Sequence, residues 1–183
     1  MAVVMLNLIS ATAFFPSSAG AQESVPSEYQ IKAAFLFNFA RFVEWPPAVF
    51  PSSNSDFVIG VFGQNPFDGD LEKAVHGKSI NGHPFVVKHF TSTAELKNCQ
   101  ILFIGGSERK RFGEILGAVK GAPVLLVSDD KTSQFIESGG IINFIIEDQK
   151  VHFEINNAAA RKANLKISSK LLTLAKRVGE NAP

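Results

Sequence analysis

The segment SEYQIKAAFLFNFARFVEWPP, residues 27–47, decides the fold because it predicts a helix that must be buried on most sides. Ser27 followed three residues later by Gln30 matches a capping box, which is typical of a helix start. The Pro-Pro pair at the end of the segment cannot continue a helix. Between these limits apolar residues cover nearly the whole circumference of the predicted helix, so we expect the rest of the chain to fold around it.

The few polar positions of this helix form a candidate binding surface. Asn38, Arg41 and Trp45 recur at steps of three and four residues, which places them on one strip of a continuous helix. Because a plain core helix has no need of such a strip, we expect these side chains to contact a partner. A purely structural role, joining the helix to the C-terminal region, is the alternative.

The first 21 residues predict a signal peptide rather than a part of the fold. Residues 1–15 are apolar, and Ala19 and Ala21 provide the small residues that signal peptidase recognises. We therefore expect cleavage after Ala21, although this segment lacks the usual Lys or Arg before its apolar run. An apolar run of about 15 residues is shorter than the roughly 20 that a membrane-spanning helix needs, which favours export over membrane anchoring.

Residues 22–183 have the size of one domain with its own core. The formal net charge of the chain is +1, but residues 157–178 contain six basic residues and no acidic one. Cys99 is the only cysteine, so an intramolecular disulfide is excluded. Since Cys99 precedes an apolar run, we expect a buried thiol rather than a nucleophile.

Beyond the opening helix, apolar β-type runs alternate with helical segments. Strands are predicted at residues 56–62, 83–90, 100–104 and 123–128, and helices at residues 65–75, 107–120 and 132–137. Two further strands, residues 141–146 and 151–155, predict a hairpin, and a helical region interrupted near Asn164 follows over residues 157–178. The alternation predicts a single three-layer α/β/α domain, with a mostly parallel doubly wound sheet and a C-terminal antiparallel hairpin.

In such a sheet, ligands bind beyond the carboxyl ends of the strands. A candidate ligand pocket therefore consists of the residues that follow two neighbouring strands, namely Gly105, Gly106, Ser107, Ser128 and Asp129. The glycines and the serine match neither a dinucleotide fingerprint nor a P-loop. This favours an ordinary turn, in which Ser107 caps its own helix, over an anion site.

The acidic, histidine and cysteine residues form no catalytic or metal-binding arrangement in the sequence. Asp129 and Asp130 lack a second acidic cluster and an evident lysine partner, so an exposed turn with an aspartate helix cap is favoured over a Mg²⁺ or phosphoacceptor site. His152 and Glu154 lie about 7 Å apart on one strand face, which suggests either a binding surface or an ordinary solvated face. We therefore expect no catalytic residue, no metal and no cofactor.

The basic C-terminal tract offers a further candidate surface. Lys162, Lys166 and Lys170 repeat every four residues, so a continuous helix would align them in one cationic stripe. Nucleic acid is not the expected partner of an exported protein, whereas an anionic membrane surface or an acidic partner domain fits the charge. A solvated helix face is an equal alternative.

Three segments together resemble the YfiR-like family of proteins. They are KAAFLFNFARFVEWP at residues 32–46, CQILFIG at residues 99–105 and FEINNAAARKANLKISSKLLTLA at residues 153–175. The resemblance extends over about residues 28–178, and it implies a small periplasmic α/β protein of a Gram-negative bacterium with a regulatory rather than a catalytic role. The disulfides of the namesake type are absent, because Cys99 is the only cysteine.

The resemblance also implies particular partners. The family's namesake represses an inner-membrane diguanylate cyclase by binding its periplasmic sensory domain, which restrains cyclic-di-GMP synthesis, exopolysaccharide production and biofilm formation. A homodimer belongs to this system, and an outer-membrane lipoprotein can sequester the repressor. A small-ligand-binding sensor or adaptor for another membrane signalling protein is the second hypothesis for this chain, and an enzyme of the doubly wound class is the third.

Overall fold

A mostly parallel sheet of eight strands forms the centre of the computed structural model, which describes residues 26–179. The predicted signal peptide and its cleavage after Ala21 lie outside the described residues. Within residues 26–179, the helices fall short of the length and apolar character that crossing a bilayer requires.

The described range contains six helices, ten strands and three short 3₁₀ turns. The helices are α1 (Glu28–Phe42), α2 (Asp70–Val75), α3 (Phe112–Ala118), α4 (Gln134–Glu137), α5 (Asn157–Lys162) and α6 (Ser169–Leu174). The strands are β1 (Val43–Glu44), β2 (Phe57–Phe62), β3 (Ser79–Ile80), β4 (His83–Phe90), β5 (Ile101–Ile104), β6 (Leu125–Ser128), β7 (Ile142–Glu147), β8 (Lys150–Asn156), β9 (Lys166–Ile167) and β10 (Arg177–Gly179). The 3₁₀ turns are Pro47–Val49, Thr93–Glu95 and Gly106–Arg111.

The strand order confirms the predicted α/β class. The strand order is β10-β8-β7-β6-β5-β2-β4-β3. Its five central strands, β7, β6, β5, β2 and β4, run parallel to one another. Strands β7 and β8 form the predicted antiparallel hairpin, with a two-residue turn at Asp148 and Gln149. These two residues have φ angles of 50° and 59°, which match the twist of a tight hairpin. The sequence pattern does not predict the short strands β3 and β10.

Helix α1 begins as predicted and packs against the hairpin. The Ser27 hydroxyl accepts a hydrogen bond from the Gln30 N–H, and the Gln30 side chain accepts one from the Ser27 N–H. The ring of the fully buried Phe39 lies 5.7 Å from the ring of Phe144 and 5.2 Å from that of Phe153. Burial of one such side chain stabilises the fold by roughly 1.5–3 kcal/mol. Helix α1 is thereby fixed over β7 and β8.

The end of α1 corrects the predicted polar strip. The helix ends at Phe42, because the chain then becomes extended and β1 pairs antiparallel with β9. Trp45 therefore lies outside the helix. Asn38, Arg41 and Trp45 do not form a helical strip, and their role in partner binding stays a prediction.

The C-terminal helical region is interrupted near Asn164, as expected. Helix α5 ends at Lys162, Asn164 adopts a left-handed φ of 56°, and the Ser168 hydroxyl caps α6. Since β9 lies between the two helices, Lys162, Lys166 and Lys170 belong to three different elements. The cationic stripe required a continuous helix and is not formed.

Candidate functional site

Strands β2 and β5 define the position at which this fold is expected to bind a ligand. The segment after β2 leads to β4 on one side of β2, whereas β5 pairs with the other side. The connections therefore diverge between β2 and β5, and a crevice opens beyond the carboxyl ends of the strands at such a point.

A cavity of about 340 Å³ lies at this position, and we call it the switch-point cavity. Four of its lining residues belong to the predicted pocket, namely Gly105, Gly106, Ser107 and Asp129. Ser128 does not line it, because this side chain is buried and its hydroxyl donates a hydrogen bond of 2.8 Å to a backbone carbonyl of β5. Five further lining residues lie outside the predicted pocket, namely Tyr29, Gln64, Pro66, Arg109 and Lys131.

Ser107 does not cap the following helix, which corrects the predicted turn. The 3₁₀ turn Gly106–Arg111 separates β5 from α3, and Arg111 occupies the N-cap position of α3. Ser107 therefore lines the cavity from within the 3₁₀ turn.

The Asp129 carboxylate joins the switch-point cavity to helix α1. Its Oδ1 accepts a hydrogen bond of 2.8 Å from the Gly106 N–H. Its Oδ2 accepts bonds of 2.9 Å from the Tyr29 hydroxyl and 3.0 Å from the Lys32 ammonium group. Lys32 is only 2% exposed, and its charge is compensated by Asp129 and by Glu28. Donors from two distant parts of the chain thus fix this carboxylate.

Tyr29 acts as a hydrogen-bond donor in this arrangement. Burial and, after it, the neighbouring Asp129 carboxylate raise the pKa of Tyr29 well above its ordinary value, so the phenol keeps its proton at neutral pH. The Lys32 ammonium group lies 4.4 Å from the centroid of the Tyr29 ring, within the range of a cation–π interaction. Tyr29 therefore stabilises both the Asp129 carboxylate and the Lys32 ammonium group.

Asp130 is fully buried, which corrects the predicted exposed turn. Its carboxylate accepts hydrogen bonds from the Thr132 hydroxyl at 2.8 Å, the Phe135 N–H at 3.2 Å and Arg109 Nε at 2.9 Å. Burial alone would raise the pKa of Asp130, but these hydrogen bonds together hold it below its usual value. The charged Asp130 therefore orients Arg109, which lines the cavity.

A buried polar network continues behind Asp130. Asn143 Oδ1 accepts a bond from the Asp130 N–H, and Asn143 Nδ2 donates one of 3.0 Å to Glu154. Glu154 is 5% exposed, so the predicted solvated face that it would share with His152 is wrong. The unpredicted strand β10 pairs with β8 and brings Arg177 within 3.5 Å of Glu154. His152 is half-buried on the hairpin and does not line the cavity.

A second depression, which we call the Arg41–Trp45 hollow, lies where α1 ends. Its volume is about 510 Å³, and its lining includes Arg41, Glu44 and Trp45 but not Asn38. The Trp45 indole N–H donates a bond of 3.2 Å to the backbone carbonyl that precedes β5. Lys166 forms an ion pair of 3.1 Å with Glu44 across the β1–β9 ladder. Two predicted partner-binding segments therefore meet at this surface.

The other two lysines of the predicted stripe have separate surroundings. Lys162 lines a largely apolar groove of about 590 Å³ between α3 and α5. Lys170 is exposed on α6. Neither Lys162 nor Lys170 lines the Arg41–Trp45 hollow.

Cys99 is a buried thiol, as predicted. Its sulfur donates a hydrogen bond of 3.3 Å to the Leu96 carbonyl, and burial raises the pKa of the thiol to about 12. Since the thiolate is the reactive form, Cys99 is unsuited to nucleophilic chemistry. Over the part of the chain that the structure describes, no group of three or more His, Cys, Asp and Glu side chains is placed to hold a metal ion.

Residues 26–179 form an α/β domain with a mostly parallel central sheet flanked by helices. The family model DUF4154, described as YfiR/HmsC-like, matches residues 29–176, and the chain belongs to this family. The resemblance of the three quoted segments is thereby confirmed. The family is one of periplasmic regulators of signalling.

A solved structure is similar in fold. It is described as a conserved domain protein from Vibrio cholerae O1 biovar El Tor strain N16961, and it has a TM-score of 0.54 at 12% sequence identity. The match covers 83% of this chain and 60% of that chain. At this identity the similarity shows the fold alone. A comparison with curated proteins finds no match.

Proposed function

We propose that this protein binds and represses the extracytoplasmic sensory domain of an inner-membrane diguanylate cyclase, and so lowers cyclic-di-GMP signalling and biofilm formation. Membership of a family of periplasmic signalling regulators supports this proposal. The protein is exported and acts by contact with its partner rather than by catalysis.

The Arg41–Trp45 hollow is the observation that carries the proposal. Arginine and tryptophan are enriched among the residues that dominate the energy of protein interfaces. Arg41 is exposed, while Trp45 and Phe50 supply half-buried aromatic surface in the same depression. Val43 and Glu44 line the hollow and are held by antiparallel pairing with β9. A partner with an acidic and apolar patch fits its chemistry.

Isothermal titration of the protein with the sensory domain of the cyclase tests the proposal. We expect binding at micromolar concentration or tighter, and a loss of affinity on the order of tenfold in Arg41→Glu, because a charge at the hollow is reversed.

Lys110→Glu is the matched control, since it makes the same change of charge on an exposed residue outside the hollow. This variant should bind like the parent protein. Absence of binding by the parent, or an equal loss in both variants, contradicts the proposal.

The family resemblance adds two partners to the proposal. The protein forms a homodimer, and an outer-membrane lipoprotein sequesters it from the cyclase. Sedimentation velocity of the mature chain measures the first interaction. Competition between the lipoprotein and the cyclase domain for the labelled protein measures the second.

A second candidate function is that of a small-ligand sensor or adaptor for another membrane signalling protein. The switch-point cavity favours it, because the cavity lies where this fold places ligands. Ligand binding by a protein that shows no affinity for the cyclase domain would favour this second function over the first.

A further inference from the structure

We propose that the switch-point cavity binds a small organic anion, whose carboxylate or phosphate group is held by Arg109 and Lys131. This inference deepens the second candidate function by naming the ligand class of the same cavity, and it does not depend on partner binding at the Arg41–Trp45 hollow.

The position and size of the cavity limit the ligand. The cavity opens where the connections from β2 and β5 diverge, so it can be reached from beyond the carboxyl edge of the sheet. Its volume of about 340 Å³ lies at the lower end of the range for small-molecule pockets. A small metabolite fits this volume, whereas a dinucleotide does not.

The charges around the cavity favour an anion. Arg109 and Lys131 line it as cations, and Asp129 is its one lining carboxylate. Arg109 is paired with the buried Asp130 behind the lining, so Lys131 supplies the positive charge in excess of these ion pairs. Asp129 already accepts three hydrogen bonds, including one from the buried Lys32, so its charge is largely compensated. Glu28, the other carboxylate paired with Lys32, is half-exposed and does not line the cavity.

Arg109 is oriented for this role. Its Nε donates to the buried Asp130 at 2.9 Å, which fixes the plane of the guanidinium group. A guanidinium group has five N–H donors, so four further donors remain for bonds to a carboxylate or phosphate. Lys131 is exposed and adds a second positive charge at the same opening.

Neutral polar groups complete the site. The Ser107 hydroxyl and the Gln64 amide line the cavity and are suited to hydroxyl or amide groups of the ligand. A Cβ atom at Gly106 would lie 3.3 Å from Asp129 oxygens, so glycine allows the 3₁₀ turn to approach this carboxylate closely. The loop therefore keeps its backbone close to the cavity.

Titration of ¹⁵N-labelled protein with inorganic phosphate, acetate and succinate, in the absence of any partner domain, tests the inference. We expect the Gly105, Gly106 and Ser107 amide signals to shift saturably with phosphate or with a carboxylate, and the anion that saturates identifies the ligand class. In Lys131→Gln we expect the dissociation constant to rise on the order of fivefold.

Lys110→Gln, which removes a charge from an exposed lysine outside the cavity, should leave the dissociation constant unchanged. Shifts that do not saturate, or an equal weakening in the two variants, would overturn the inference. Because no partner is present, this result is independent of whether the cyclase domain binds.

Discussion

At the scale of single residues, Asp129 and Asp130 follow the same strand but have different surroundings. Asp129 lines the switch-point cavity and is held by donors from α1, whereas Asp130 is fully buried and bonded to its own loop and to Arg109. Sequence reasoning found no lysine partner for these acids because Lys32 is 97 residues away. The sequence offered one indication of this pairing, which is the charged Lys32 within an otherwise largely apolar turn of helix α1.

We predict that Asp130→Asn lowers the free energy of unfolding by about 2 kcal/mol at neutral pH, since the substitution weakens several charge-assisted hydrogen bonds to a buried group. Urea unfolding measures this difference. Asp148→Asn is the control, because this turn residue has a left-handed backbone that asparagine adopts as readily. A change of the same size in the control would contradict the role given to Asp130.

The effect of Asp130→Asn should depend on pH in a defined direction. The pKa of Asp130 is below its usual value in the folded protein, so the carboxylate stabilises the fold above the unfolded-state pKa of about 3.9. That contribution disappears as the pH falls through the lower, folded-state pKa. We therefore expect the difference between parent and variant to be full at pH 7 and smaller at pH 3, as measured by unfolding at both values.

We predict that Cys99 reacts slowly with a thiol reagent such as dithionitrobenzoate at pH 8 in the native protein. Burial raises the pKa of the thiol to about 12, so the thiolate is scarce and also shielded. The same reaction should be fast in concentrated urea. Fast labelling of the native protein would show that Cys99 is accessible.

At the scale of helices and strands, the start of α1 was easier to predict than its end. Ser27 caps α1, as the sequence pattern indicates. The end of α1 was not predictable in the same way, because β1 exists only through pairing with β9. The buried state of Glu154 likewise depends on β10, which has only three residues. Long-range pairing decided both cases.

Two glycines near the end of α3 predict opposite responses to the same substitution. Gly117 lies within α3, and Gly121 follows the helix with a φ of +74°; an added Cβ meets no atom within 4 Å at either position. Gly117→Ala should raise the free energy of unfolding by roughly 0.5–1 kcal/mol through helix propensity. Gly121→Ala should lower it by about 1 kcal/mol, because alanine is strained at positive φ. Thermal unfolding of both variants measures the pair, and equal signs would contradict this account.

At the scale of the whole molecule, the alternation of strands and helices was sufficient to predict the class of fold. Strand order was not predictable in the same way, since it depends on which strands pair at long range. The position of the switch-point cavity depends on that strand order. The sequence therefore indicated only lining residues in the loops that follow the strands. Tyr29 reaches the cavity from a helix that precedes the sheet in the chain.

Trp45 is the only tryptophan in the sequence and lies next to the β1–β9 ladder. Its ring lies edge-on to Phe57 at 5.1 Å, and it follows β1 directly. If residues 26–179 unfold as one cooperative unit, urea transitions followed by Trp45 fluorescence and by far-ultraviolet circular dichroism should coincide. An earlier fluorescence transition would show that the β1–β9 ladder opens separately.

The β1–β9 ladder also has a consequence for the timing of folding. Glu44 and Lys166 are separated by 122 positions in the chain, so the two strands can meet only when most of the polypeptide is available. Contacts between residues this far apart in sequence slow folding. A growing or truncated chain that stops before Lys166 leaves the end of α1 without its β partner. Synthesis must therefore have passed Ile167 before the end of α1 gains the support of β9.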